Sequence, residues 1–390
     1  MFSFSRRQFA RCVTGSTAGM AAASASQSRP RVACILNTYF PNSHADVFMG
    51  RLLEGYRLNG KSYRPRLDVA SFYVDQFPVN DMAREQAAEY GVTIYKSIPE
   101  ALRLGGSRIA VDGVAIIGEH GNYPRTPRGN FMYPRWKHFD QVTTVMKEDG
   151  RFLPLFSDKY FAYEWDDAMK MFNRVRQMQI PFMAGSTLPL TWRRPPLEFP
   201  RGIELDEVLV VSFSDLEEHA YHGVELMQAM AERRRGGETG VSQIRYVRGK
   251  SLAELEKEGG WSRNLLDAAL SRRVNPAPNR LDEPAEAFLI RYRDGLKAAV
   301  LNLNGMTRDY LFAARERGRA ELHASCFYIQ LWVHNHWGFM VRNFEDLVLT
   351  RKAPNPVERT LLATGITLFG LESRLKGGAW LSTPELGIRY

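Results

Sequence analysis

Apolar and polar positions follow two rhythms along the 390-residue chain. From Arg31 to Thr187, short apolar runs alternate with stretches of helical period. Arg31–Leu36 (RVACIL) is apolar after its first residue and predicts a buried strand, while Ala45–Tyr56 sets Val47, Phe48, Leu52, Leu53 and Tyr56 on one helical face. Leu67–Val74 predicts a second strand, and Asn80–Gly91 a helix stopped by its glycine. Val92–Tyr95 and Gly113–Ile117 (GVAII) read as strands. They are followed by a helix near His138–Glu148, a strand at Arg151–Phe156, a helix at Trp165–Met178 and a strand at Pro181–Ala184. This alternation predicts an α/β unit, a Rossmann-like doubly wound parallel sheet with helices on both faces.

The second half moves differently. Glu207–Ser214 predicts a strand, His219–Arg234 a helix and Val241–Val247 a strand, with short helices at Ser251–Glu258 and Ser262–Leu270. Glu286–Arg293 and Leu296–Asn304 flank Asp294-Gly295, a two-residue hairpin turn of the favoured kind. Aromatic-rich strands around His323–Val333 and helices at Asn343–Leu349 and Val357–Leu375 complete an α+β domain with a mainly antiparallel open sheet. The Pro-rich stretch Leu188–Arg201 marks the boundary, so the expected domains are 26–187 and 188–390.

Composition adds an address to this picture. Residues 1–25 hold Ser5-Arg6-Arg7-Gln8-Phe9, then Arg11, a weakly apolar stretch and the small residues Ala23-Ser24-Ala25. That order predicts a twin-arginine signal peptide, with the export machinery as a partner and a periplasmic or extracellular location in a bacterium. Arg6, Arg7 and Arg11 supply three of the nine excess positive charges. The remaining bias is too mild to predict a nucleic-acid partner. No apolar run approaches the roughly 20 residues that span a bilayer, so no membrane partner is expected after signal removal. Self-association is left open. Cys34 and Cys326 are expected as packed thiols rather than a disulfide.

Three segments carry a family resemblance. Phe156-Ser157-Asp158-Lys159-Tyr160, followed by EWDDAMKMFNRVRQMQIPFMAG, resembles the Glu-Lys-Pro motif, helix and next strand of the Gfo/Idh/MocA-like oxidoreductases. Glu218-His219-Ala220-Tyr221-His222 is similar to that family's segment in which an acid precedes a histidine by four residues, with glutamate here for aspartate. The stretch from Asn343 to Leu386 resembles the family's C-terminal helices and tail. The resemblance implies NAD or NADP as cofactor and a sugar or polyol as substrate. It makes Lys159 and His222 the groups that manage a hydroxyl proton, with Glu218 as the acidic neighbour. One feature departs from the pattern: the turn Leu36–His44 has no glycine where the family's phosphate loop needs them, and Tyr39, Phe40 and Pro41 add bulk.

The residues themselves point the same way with less specificity. Lys159 ends a predicted parallel strand, at the edge where open α/β sheets gather ligands. Asn37, Asp75, Glu119, His120 and Asp158 also follow predicted strands, and are the candidate cofactor-contacting residues. Glu218, His222 and Glu225 share one helical face, which suits acid/base chemistry, a metal or a structural helix alike; no metal is assigned. Arg125, Arg128, Arg135 and Lys137 form a basic loop suited to an anionic sugar. His334-Asn335-His336 on a strand would aim both imidazoles one way. The reading is an exported oxidoreductase acting on a sugar or polyol. Its rivals are a hydrolase or lyase on the same scaffold and a non-catalytic carbohydrate-binding protein.

Overall fold

A computed structural model describes residues 28–214, 216–330 and 333–390; the expected signal peptide therefore lies outside the described residues. The first domain runs β1 (Arg31–Leu36), α1 (His44–Glu54), β2 (Tyr56–Leu58), β3 (Lys61–Tyr63) and β4 (Asp68–Val74). It continues with α2 (Ala83–Tyr90), β5 (Thr93–Tyr95), α3 (Ile98–Arg103), β6 (Gly113–Ile117) and α4 (Arg135–Asp149). β7 (Leu155–Asp158), α5 (Trp165–Gln177) and β8 (Phe182–Gly185) close it. Six of these strands form one sheet in the order β5-β4-β1-β6-β7-β8, every pair parallel. This is the doubly wound order, with its switch point between β1 and β6. β1 and β6 are apolar almost throughout because helices cover both faces of the sheet.

The second domain begins with β9 (Trp192–Arg194), β10 (Leu205–Ser212), α6 (Leu216–Ala231) and β11 (Val241–Gly249). After α7 (Leu252–Gly259) and α8 (Arg263–Leu270) come β12 (Ala285–Tyr292), β13 (Lys297–Asn302), β14 (Tyr310–Glu316) and β15 (Leu322–Tyr328). The chain ends with α9 (Trp337–Thr350), α10 (Val357–Leu375) and β16 (Leu381–Ser382). The eight strands lie in the order β16-β11-β12-β13-β10-β14-β15-β9, antiparallel except for the β10–β13 pair. Asp294-Gly295 makes the expected hairpin, with Gly295 at φ +93°.

Three local expectations change. Tyr56 begins β2 instead of ending the helix, because Gly55 at φ +99° stops α1 and its N–H closes on the Arg51 carbonyl. β14 and the short β9 were not signalled by an alternating pattern; β14 is apolar over its first five residues because both of its faces are covered. His334–His336 is not a strand. It turns through His334 at φ +51° into α9, since Trp337 must enter the core beside Met340 and Phe344.

The last two helices join the layers. α9 packs on α1 and β2, and its buried Glu345 accepts from the Tyr56 hydroxyl at 2.8 Å and the Arg66 N–H at 2.6 Å. α10 lies against α5 and β8 of the first domain and α6 and β11 of the second. Thr360 donates to the Ala184 carbonyl at 3.0 Å, and the Thr364 hydroxyl accepts from the Phe161 N–H at 3.3 Å. Cys34 and Cys326 are buried and unbridged.

Gly370 on α10 has the Phe288 ring where its Cβ would stand, with three ring atoms at 2.7–2.9 Å. Alanine should raise helix propensity there by about 1 kcal/mol, but overpacking a buried site costs about 1–3 kcal/mol. Gly370→Ala is therefore expected to lower the thermal midpoint, as read by calorimetry.

Candidate functional site

The carboxyl ends of β1, β6 and β7 meet the start of α1 and the first half of α6. Lys159 follows β7 in the left-handed region at φ +66°, and its N–H donates to the Gly185 carbonyl at 3.1 Å. An ordinary strand would send alternate side chains to opposite faces. The turn at Lys159 instead leaves both Asp158 and Lys159 at the ligand edge. Lys159 Nζ lies 3.5 Å from Glu119 Oε1, with both side chains almost fully buried. The other Glu119 oxygen pairs with Arg135, which is also fully buried and has the Tyr160 ring 4.3 Å from its guanidinium carbon. Burial alone would raise the Glu119 carboxyl, but the Lys159 and Arg135 charges outweigh it and hold it well below the usual range.

Opposite this ion cluster stands α6. His222 is buried; burial first and the Lys159 charge second push its imidazole far below the ordinary value. His219 Nδ1 meets the Tyr310 hydroxyl at 2.6 Å, and burial and Lys159 lower its pKa to about 3. Glu217 shares a hydrogen bond with Tyr160, and burial, then Glu119, raises it to about 7. Glu225 points away from His222. It accepts the Ser186 N–H at 2.5 Å, filling the space that a Cβ on Gly185 would need. Glu218 lies on this helix, but its side chain is outside the described residues.

His44, the first residue of α1, completes the ring of groups. Its Nδ1 is 2.6 Å from Asp158 Oδ2, and its ring centroid lies 5.2 Å from that of His120 and 6.4 Å from that of His222. Sequence reading missed His44 and placed Arg135 in a basic loop suited to an anionic sugar. The signal for His44 was available: it follows β1 at the ligand edge, directly after Ser43. The arginines of the basic loop are spent internally, while Lys137 is exposed. Arg135 is buried on Glu119, Arg128 pairs with Glu164 at 2.5 Å, and Arg125 stacks over Phe131.

A dinucleotide would need the α1 N-terminus and the crevice beside β1 and β4. Here Ser43 Oγ accepts the Asp46 and Phe40 N–H groups at 3.2 Å each. The Asp46 carboxylate accepts the Asn42 N–H at 2.8 Å. An anion at this helix start would meet a carboxylate instead of open donors. Tyr39 is fully buried in the core formed with Phe72, Val74 and Ala83. Asp75 accepts from Tyr73 at 2.9 Å and from Tyr123 at 2.6 Å. The loop after β6 crosses the crevice as a strap. Gln76 and Asn122 exchange two hydrogen bonds, and Asn37 Nδ2 donates to the His120 carbonyl at 3.3 Å. These residues do not fit a dinucleotide in the usual pose, because its partners are already engaged by the chain.

The buried imidazoles have a measurable consequence. His120 and His138 are lowered to about 4, and His219 and His336 to about 3, mainly by burial, with His222 also far below its ordinary value. Below about pH 6.5 the unfolded chain takes up protons that the folded chain refuses, so stability is lost as pH falls from 6.5 towards 4. Glu217 and Glu225 act oppositely between their ordinary range and about 7, but they are two groups against five. The thermal midpoint should therefore fall on acidification across this window. His138→Asn, which removes a ring with no hydrogen-bond partner among the described residues, should flatten the dependence.

Comparison with known proteins places the fold. No protein-family model and no curated protein matches the sequence. Among solved structures, apo scyllo-inositol dehydrogenase from Lactobacillus casei superposes with a TM-score of 0.58 at 10% identity, covering 91% of this chain and 98% of that one. A myo-inositol dehydrogenase from Corynebacterium glutamicum gives 0.56 at 11% identity over 91% and 98%. GenD2 from gentamicin A biosynthesis, in complex with NAD, gives 0.57 at 12% identity over 95% and 99%. At such identities the likeness is one of architecture, and the architecture of this chain is the two-domain fold of the Gfo/Idh/MocA-like oxidoreductases.

Proposed function

We propose that this chain transforms a sugar or polyol at a centre in which Lys159 and His222 handle the proton of a hydroxyl or carbonyl. One observation supports the reading above the others. Asn37 Oδ1, His120 Nε2, Asp158 Oδ1 and His222 Nδ1 are buried polar atoms that make no hydrogen bond among the described residues. They lie in one contiguous group around His44. Orphaned polar atoms in a native interior are costly and call for partners. A polyhydroxylated ring supplies hydroxyls that donate and accept at several points at once. The inositol dehydrogenases that share the fold act on molecules of this kind.

Within such a centre the Lys159 ammonium, held by Glu119, would donate to the substrate oxygen. His222, kept neutral by burial and by Lys159, would accept or return a proton. A dehydrogenase would use the same pair beside a nicotinamide. The strapped crevice favours a reaction completed by proton transfer alone, as on the lyase side of the alternatives. Calorimetric titration of the purified protein with NAD+, NADH, NADP+ and NADPH separates the two. Absence of binding is expected, whereas tight binding of any of them restores the redox reading. Lys159→Met and His222→Asn should each lower turnover by about 100-fold or more while leaving the fold intact. Unchanged turnover in both would leave only a carbohydrate-binding role.

The N-terminal pattern supports export before this activity is exercised. With Arg6 and Arg7 both replaced by lysine, the protein should remain in the cytoplasmic fraction of a bacterial host competent for twin-arginine transport. The unaltered chain should be recovered from the periplasm.

A further inference from the structure

The His44–Asp158 pair involves neither Lys159 nor His222, and the resemblance covers Asp158, the acid before Lys159, but not His44. Asp158 is fully buried at the end of β7, and its Oδ2 is 2.6 Å from His44 Nδ1. A carboxylate in that position holds the imidazole proton on Nδ1 and leaves Nε2 as the basic nitrogen. The ring is fixed from its other sides. Trp337 packs edge-on at 4.7 Å and His120 at 5.2 Å between centroids. About 15% of the side chain remains exposed, so a ligand can reach it. The loop Asn37–Ser43 that stands in place of a glycine turn delivers this residue, because Ser43 caps α1 and makes His44 its first residue.

We propose that His44 is a catalytic base, oriented by Asp158 as a positioning residue, that removes a proton from carbon next to a carbonyl in a keto sugar or keto-inositol. This rests on the sugar or polyol reading of the Lys159–His222 centre. Nε2 of His44 takes the proton, and the C–H electron pair becomes the carbon–carbon double bond of an enolate. The Lys159 ammonium stabilises the oxygen that gains the charge. The His44 imidazolium exchanges its Nε2 proton with water and returns a proton to the same carbon, so no proton is drawn from the neutral His222. The carbonyl then re-forms, and the C–H beside it carries a hydrogen taken from solvent. Every electron and proton is accounted for without a hydride acceptor.

The test uses the full-length mature protein with D-fructose and the monoketone of myo-inositol in D2O. Proton NMR follows exchange of the C–H beside the carbonyl, and saturation-transfer NMR in the same samples reads binding. The wild type should exchange at least one ketone. His44→Gln should lose at least about 100-fold in rate with binding retained. Asp158→Asn should slow exchange and, in 15N-histidine spectra, shift His44 away from the Nδ1–H tautomer. His44→Gln must keep the wild-type thermal midpoint, and His44→Asn serves as the second variant. Exchange that survives both His44 variants overturns the assignment and leaves the Lys159–His222 reading standing. Binding without exchange in the wild type also overturns the inference alone. Failure of both ketones to bind overturns the sugar or polyol reading itself.

Discussion

A carboxylate between two buried cations organises this molecule. Glu119 sits at the end of β6 with Arg135 on one side and Lys159 on the other, all three essentially out of water. Removing Glu119 would strand two positive charges in the interior, at a cost of about 3–5 kcal/mol. The cluster therefore fixes three elements at once: the loop after β6, the start of α4 and the turn after β7. Gly118 allows this, since a Cβ there would meet the Arg135 side chain at 2.7 Å.

The electrostatics of α6 follow from that arrangement. Burial first, and Lys159 facing the helix second, keep the imidazoles opposite it unprotonated, while burial and then Glu119 raise Glu217. α10 holds α6 in register with the first domain through packing on α5 and β8. The two domains thus share one site whose halves are set by separate sheets. Lys159, Asp158 and Glu119 come from the strand ends of the parallel sheet, His219 and His222 from α6, and Tyr310 from β14 of the open sheet.

Much of this architecture was legible in the chain. β1 and β6 show as apolar runs, and a helix was expected at Val357–Leu375, where α10 lies. Lys159 and His222 could be named because strand ends and four-residue helical spacing are local features. His44 could not be assigned a role that way. Its meaning comes from Asp158, 114 residues later in sequence. Arg135 was misread for a related reason: an arginine in a basic loop looks available to an anionic ligand until the glutamate it will pair with is known. The missing glycines were visible, but the strap that replaces their ligand was not, because Tyr123 and Asn122 reach Asp75 and Gln76 only in the folded sheet.

The charge balance of the centre carries one more implication. Arg135 and Lys159 bring two positive charges, Glu119 and Asp158 two negative ones, and the surrounding histidines with lowered pKa values are neutral near pH 7. With Glu217, raised to about 7, beside these groups, the cluster has no excess positive charge to offer an incoming anion, and the neighbouring arginines are committed elsewhere. Selectivity here works by refusal. On the sugar or polyol reading proposed above, sugar phosphates and uronic acids would be excluded at the threshold, leaving a neutral ring rich in hydroxyls as the guest that fits.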